Sequence, residues 1–159
     1  MRLPQTSTAS NTFIVQCLMT QQPTLENEHL VPSGKCVLLV EDDRSVRRYL
    51  EVTLQRSGYN VITAGDGVEA IKLALSSPID IVVTDAIMPH MSGQELARFL
   101  RGNPKFSAVP IVLLTGQEDR QAISTPEDLI DRFLTKPVRL EDLKSCLSSL
   151  LQQDDTLID

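Results

Sequence analysis

The sequence predicts an α/β protein in which a β-α unit repeats five times to build a doubly wound parallel sheet. Three observations lead there. Short apolar runs rich in Val and Ile, at residues 36–40, 59–63, 79–84, 109–114 and 133–135, alternate with segments of helical period. The runs are continuously apolar instead of alternating, as befits strands covered on both faces. Gly58, Pro78 and Pro104 stand where one element should stop before the next begins. No internal repeat suggests a solenoid, and about 120 residues is too few for an eight-fold barrel.

The elements follow in order. Val46, Leu50 and Leu54 recur every four residues and mark the buried stripe of a first helix, with Gly58 behind it as the C′ residue. Ile71 and Leu75 mark a second helix, and Leu96 and Leu100 a third. Leu140, Leu143, Leu147 and Leu151 stripe the last. Between the fourth and fifth strands, Thr125 and Pro126 read as N-cap and N1 of a fresh helix, which argues against one continuous helix over residues 117–131. Residues 1–34 are polar and lack an apolar period, so they are expected to form a flexible tail. Residues 35–152 form the folded domain, and residues 153–159 a C-terminal tail. Met19 offers an alternative translation start.

Composition narrows the function. The 159 residues carry 15 Lys and Arg against 21 Asp and Glu, a net charge of −6, with 42% hydrophobic and 23% charged residues. That suits one globular domain with its own core. An acidic chain without a Lys/Arg run is a poor direct partner for nucleic acid. Cys17, Cys36 and Cys146 are odd in number and lack C-x-x-C spacing, and the chain has only two His. A disulfide framework and a thiolate zinc site are therefore set aside, and reduced thiols in a cytoplasmic protein are expected. No apolar stretch approaches the roughly 20 residues of a membrane helix. Residues 13–19 come nearest to a signal-peptide core, but Gln16 interrupts them and only Arg2 precedes them.

In an open parallel sheet, ligands bind outside the carboxyl ends of the strands. Glu41, Asp42 and Asp43 follow the first run, Asp85 the third, Thr115 the fourth and Lys136 the fifth. Each alone has an ordinary explanation, as a helix cap or a solvated lysine. Together, acids from two strands would place like charges side by side unless a cation lies between them. A hard divalent ion with oxygen ligands fits, and Mg²⁺ suits a site with few carboxylates and room for water and phosphate oxygens.

From residue 36 to about 151 the chain resembles a response-regulator receiver domain. VLLVEDDR resembles the family's first-strand acidic motif and VVTDAIMPHMSG its phosphoacceptor loop. IVLLTG resembles the strand-four hydroxyl motif and FLTKPV the strand-five lysine motif, and the intervals between them are also the family's. The resemblance implies a flavodoxin-like sheet with strand order 2-1-3-4-5. It implies that Asp85 is the nucleophile that accepts a phosphoryl group from a sensor histidine kinase or a histidine phosphotransfer protein. Glu41, Asp42 and Asp85 would hold Mg²⁺ with the main-chain carbonyl of Ile87. Thr115 would donate to a phosphoryl oxygen, and Lys136 would pair with that group and, before it, with Asp85. Thr115 and Phe133 would form the switch, although Phe133 also reads as a plain core aromatic. Asp43 reads as an acid supporting the following helix. The Lys136–Pro137 bond occupies a position that is commonly cis in the family. Gly116 departs from the family's frequent Ala, with no loss of access to the site.

The segment QQDDTLID after Leu151 is too short for an output domain, so a stand-alone, cytoplasmic regulator acting through its own surface on a downstream protein is expected, with no enzymatic role beyond its own phosphorylation and dephosphorylation. Ile87, apolar and two residues after Asp85, implies slow loss of the phosphoryl group. Three rivals remain. Gly65-Asp66-Gly67-Val68-Glu69-Ala70 fits the G-x-G-x-x-A dinucleotide fingerprint, with Asp85 about 20 residues on, but it follows the second strand instead of the first. A phosphatase using an Asp nucleophile would want a second acid where Ile87 stands. A degenerate receiver serving as a binding module would not need Glu41, Asp42, Asp85, Thr115 and Lys136 all present.

Overall fold

The computed structural model describes residues 34–119 and 128–153. Five parallel strands, β1 (Cys36–Val40), β2 (Asn60–Ala64), β3 (Ile81–Asp85), β4 (Ile111–Thr115) and β5 (Arg132–Thr135), form one sheet in the order β2-β1-β3-β4-β5. Among the described residues the helices are α1 (Arg44–Arg56), α2 (Gly67–Ser76), α3 (Gly93–Gly102) and α4 (Leu140–Gln153). Thr125 and Pro126, Met19, Cys17 and nearly all of the expected N-terminal tail lie outside the described residues.

Every residue of β1, β3 and β4 is buried, because successive side chains point to opposite faces and both faces are covered. On one face Leu38, Val40, Val82, Ile111 and Leu113 meet Ala70, Ala74, Leu96, Leu100 and Phe106. On the other, Val37, Leu39, Val83, Val112 and Leu114 meet Leu50, Leu54, Leu143, Leu147 and Leu151. Each such aliphatic side chain contributes about 1.5–3 kcal/mol by leaving water.

Two apolar stripes differ from expectation. In α2 the buried positions are Gly67, Ala70 and Ala74, while Leu75 is 52% exposed. Small residues let this helix lie close to the sheet; Ile71 and Leu73 pack partly buried against the same core, and Val68 and Leu75 are left exposed. In α1, Leu50 and Leu54 are buried but Val46, in the first turn, is 39% exposed. In α3, Leu96 and Leu100 are buried as expected; in α4, Leu143, Leu147 and Leu151 are buried with Leu150 added, while Leu140 at the helix start is only partly covered.

The caps explain where helices begin and end. Asp43 is the N-cap of α1 and accepts from Ser45 N and Val46 N, so it supports that helix from one position outside it. Ser92 and Glu95 form a reciprocal capping box on α3. After α1, Gly58 adopts φ +92° while its N–H bonds Gln55 O and the Tyr59 N–H bonds Leu54 O, a Schellman closure that needs a residue without a β-carbon.

Candidate functional site

Strands β2, β3 and β4 end one residue later than the apolar runs suggest, while β1 and β5 end where expected. Asp85 and Thr115 are the last residues of β3 and β4, held in the ladder by pairing of Asp85 with Leu114 and of Thr115 with Thr135. The Lys136 N–H donates to Thr115 O at 2.7 Å and the Ala86 N–H to Leu114 O at 2.8 Å, which locks three neighbouring strand ends together. Backbone pairing therefore holds these side chains at one rim.

There the expected residues converge. Carboxylate oxygens of Glu41, Asp42 and Asp85 lie within 4.8 Å of one another. Glu41 is 1% exposed and Asp85 8%, while Asp42 faces solvent. Lys136 Nζ stands 2.9 Å from Asp85 Oδ2 and 3.0 Å from Glu41 Oε2. Its ammonium balances part of the charge that two nearly buried carboxylates carry. Burial pushes the Glu41 carboxyl above its ordinary range, and the charge of Asp85 adds to this, while the bond from Lys136 opposes both. For Lys136, desolvation works against the ammonium, but the hydrogen bonds and charges of Asp85 and Glu41 outweigh it and hold the group above its ordinary value. The two shifts differ in effect: Lys136 favours its charged form, while Glu41 still lacks sufficient positive charge nearby. An all-oxygen donor set with one buried acid, one exposed acid and a third at a strand end fits a hard cation such as Mg²⁺.

Thr115 Oγ1 is buried without a hydrogen-bond partner, one of two such side-chain atoms among the described residues, the other being Tyr59 OH. A buried hydroxyl left unpaired is costly, and at the end of a strand beside the acids it is available to an incoming oxygen. Ile87 is 60% exposed, and its N–H approaches Asp85 Oδ1 at 3.5 Å. The Lys136–Pro137 bond is cis. Phe133 is 36% exposed, so it is no ordinary core aromatic. It pairs with Leu113 two positions before Thr115 pairs with Thr135, which puts Phe133 and Thr115 on the same face of the sheet.

Sequence reasoning missed two contributors. Arg47 Nη1 donates to Glu41 O at 2.6 Å and to Asp42 O at 3.4 Å, so α1 tethers the backbone that carries both acids. Gly93 lies against Asp85, where an added β-carbon would overlap the main-chain oxygen. A glycine directly after the N-cap Ser92 was the only local signal for the second, and nothing local marks Arg47 apart from its neighbours.

The G-x-G-x-x-A segment does not form an anion cradle. Gly65 N–H is taken by Glu69 Oε2 at 2.7 Å and Glu69 N–H by Asp66 Oδ1 at 2.8 Å, so acids face the place of a pyrophosphate. Cys36 is buried, Cys146 half-buried, and both are free thiols. No helix among the described residues is long and apolar enough to cross a membrane.

Comparison with known proteins agrees with this geometry. A family model described as the response regulator receiver domain matches residues 37–148. Response regulator MprA of Mycobacterium tuberculosis is 36% identical over 118 residues, which cover 74% of this chain and 50% of that protein, so the chain spans half the length of this relative. Chemotaxis response regulator CheY4 of Vibrio cholerae superposes with a TM-score of 0.69 at 32% identity, covering 75% of this chain and all of that one. Response regulator TrrA of Thermotoga maritima, in complex with Mg²⁺-BeF, gives a TM-score of 0.66 at 34% identity over 74% of this chain and 99% of that one.

Proposed function

Since the chain belongs to the response regulator receiver domain family, we propose that its site takes a phosphoryl group on Asp85 from the phosphohistidine of a sensor histidine kinase or a histidine phosphotransfer protein. The observation that carries this reading is the convergence on Asp85 of Lys136, at 2.9 Å, and the carboxylates of Glu41 and Asp42. A carboxylate oxygen of Asp85 attacks phosphorus, the P–N bond breaks, and the imidazole nitrogen leaves with the electron pair and takes a proton from solvent. When bound by Glu41, Asp42, Asp85 and the Ile87 carbonyl, Mg²⁺ would neutralise charge on the phosphoryl oxygens. Lys136, ion-paired to Asp85 beforehand, transfers its pairing to a phosphoryl oxygen. Thr115 donates its unpaired hydroxyl to another.

Drawing Thr115 toward the phosphoryl group frees space on the sheet face it shares with Phe133. Inward rotation of Phe133 then shifts a two-state equilibrium that a downstream protein reads at β5 and the segments flanking it. This signalling role is expected in the cytoplasm, with residues 35–152 as the receiver unit. Ile87 supplies no hydrogen bond to an attacking water, so the acyl phosphate should persist longer than in an Ile87→Asn variant. Acetyl phosphate with Mg²⁺ should add one phosphoryl group by mass spectrometry, and Asp85→Asn should abolish the addition. Undiminished modification of that variant would overturn the assignment.

A further inference from the structure

We propose that the cleft between the start of α1 and β2 binds a phosphate-bearing anion of the diphosphate class, at a site separate from the acidic rim. Arg44, Arg47, Arg48, Glu51 and Thr63 line the cleft, which encloses about 320 Å³. That size is at the lower end of small-ligand pockets, enough for a diphosphate but not for a protein segment.

Cations are the minority charge in this chain, yet three gather within five residues. They do so in the first turns of a helix that has no acid in its first turn, where the macrodipole already disfavours positive charge. The nearby acids do not account for them. Among the described residues, no guanidinium of the three forms an ion pair with Glu41, Asp42 or Asp43, and the one ion pair in the group is Arg48 with Glu51 at 2.8 Å. The Arg44 guanidinium makes no hydrogen bond or ion pair to any described residue. Arg47 is oriented by the Glu41 and Asp42 carbonyls through Nη1 and lies along Gly65, where an added β-carbon would stand 3.4 Å from that nitrogen. Its Nε and Nη2 keep no partner among the described residues.

The cleft thus presents one pre-oriented guanidinium, one free guanidinium, a third shared with Glu51, and the Thr63 hydroxyl. Planar forks of this kind match pairs of phosphate oxygens, and several together call for a multivalent anion. The diphosphate could be free or part of a nucleotide, since the same groups would recognise both.

Calorimetric titration of the full chain with pyrophosphate, and in parallel with ADP, tests the proposal in metal-free buffer of low ionic strength. One site is expected, weakened at least tenfold by Arg44→Gln with Arg48→Gln and unchanged by Lys72→Gln. Arg47 is left intact because it also holds the backbone of the acidic rim. Tighter binding of ADP than of pyrophosphate would assign the site to nucleotides, and equal or weaker binding to free diphosphate; both support the cleft. Absence of binding, undiminished affinity in the double variant, or equal loss in Lys72→Gln would each overturn it. Asp85→Asn should bind normally, so this test is independent of the phosphorylation reading.

Discussion

Gly93 is packed directly beneath Asp85: its N–H donates to Ala86 O at 2.9 Å, and its Cα faces the main-chain oxygen of Asp85 with no room for a methyl group. Leu113 Cδ1, 2.7 Å from the ideal β-carbon position, closes the other side. Gly93→Ala should therefore cost about 1–3 kcal/mol of stability, as overpacking does, and should slow phosphoryl uptake by shifting Asp85. Urea unfolding with an unchanged midpoint would contradict the first part.

Thr115 should show opposite effects on stability and response. Its hydroxyl is buried and unpaired, so the isosteric Thr115→Val should raise stability by about 1 kcal/mol by removing an unsatisfied polar group. The same change should diminish the hydrogen-exchange response of β5 to beryllofluoride. A destabilised Val variant would show that the hydroxyl already has a partner.

Glu41 sets a pH dependence. Its folded-state pKa is raised by burial and by Asp85, so it favours folding most below its unfolded value, and that contribution fades as pH rises through the raised folded value. Metal-free protein should lose this part of its stability as pH rises above the ordinary carboxylate range. Added Mg²⁺ should raise the melting temperature more at neutral pH than in mild acid, where the proton competes with it. Calorimetric melts of wild type and Glu41→Gln test this: the variant should show a flatter pH profile, and an identical profile would exclude Glu41 as the source.

Far from the rim, Arg101 ties together the amino ends of β4 and β5. Its Nη1 donates to Val109 O at 2.6 Å and Ser107 O at 3.1 Å, and its Nη2 to Asp131 Oδ2 at 2.6 Å, an oxygen that also accepts from Ile111 N. The side chain is only 15% exposed, so Arg101→Met should cost about 2 kcal/mol by orphaning these acceptors. Phosphoryl uptake at the opposite rim should persist, and loss of uptake in a folded variant would contradict the separation of the two ends.

The type and sequence of elements could be read from the chain because they depend on local chemistry. Continuous apolar runs mark the strands, which are buried throughout in β1, β3 and β4 but only partly at the edges β2 and β5, and Gly58 stands where a left-handed closure is required. The rim residues were legible for the same reason: Glu41, Asp42, Asp85, Thr115 and Lys136 adjoin strand ends, and parallel strands bring those ends to one side.

What tertiary structure decided is whatever depends on neighbours distant in sequence. Burial separates Glu41 from Asp42, adjacent acids of which one is enclosed and one open to solvent. Packing chose Ala70 and Ala74 over Leu75 as the inner face of α2, because helix-to-sheet distance is set by the partners and not by hydrophobicity alone. Arg47 and Gly93 gained their roles only when α1 and α3 were brought against the strand ends. Helical period and strand composition act over a few residues, whereas these choices depend on which surfaces meet when the chain closes.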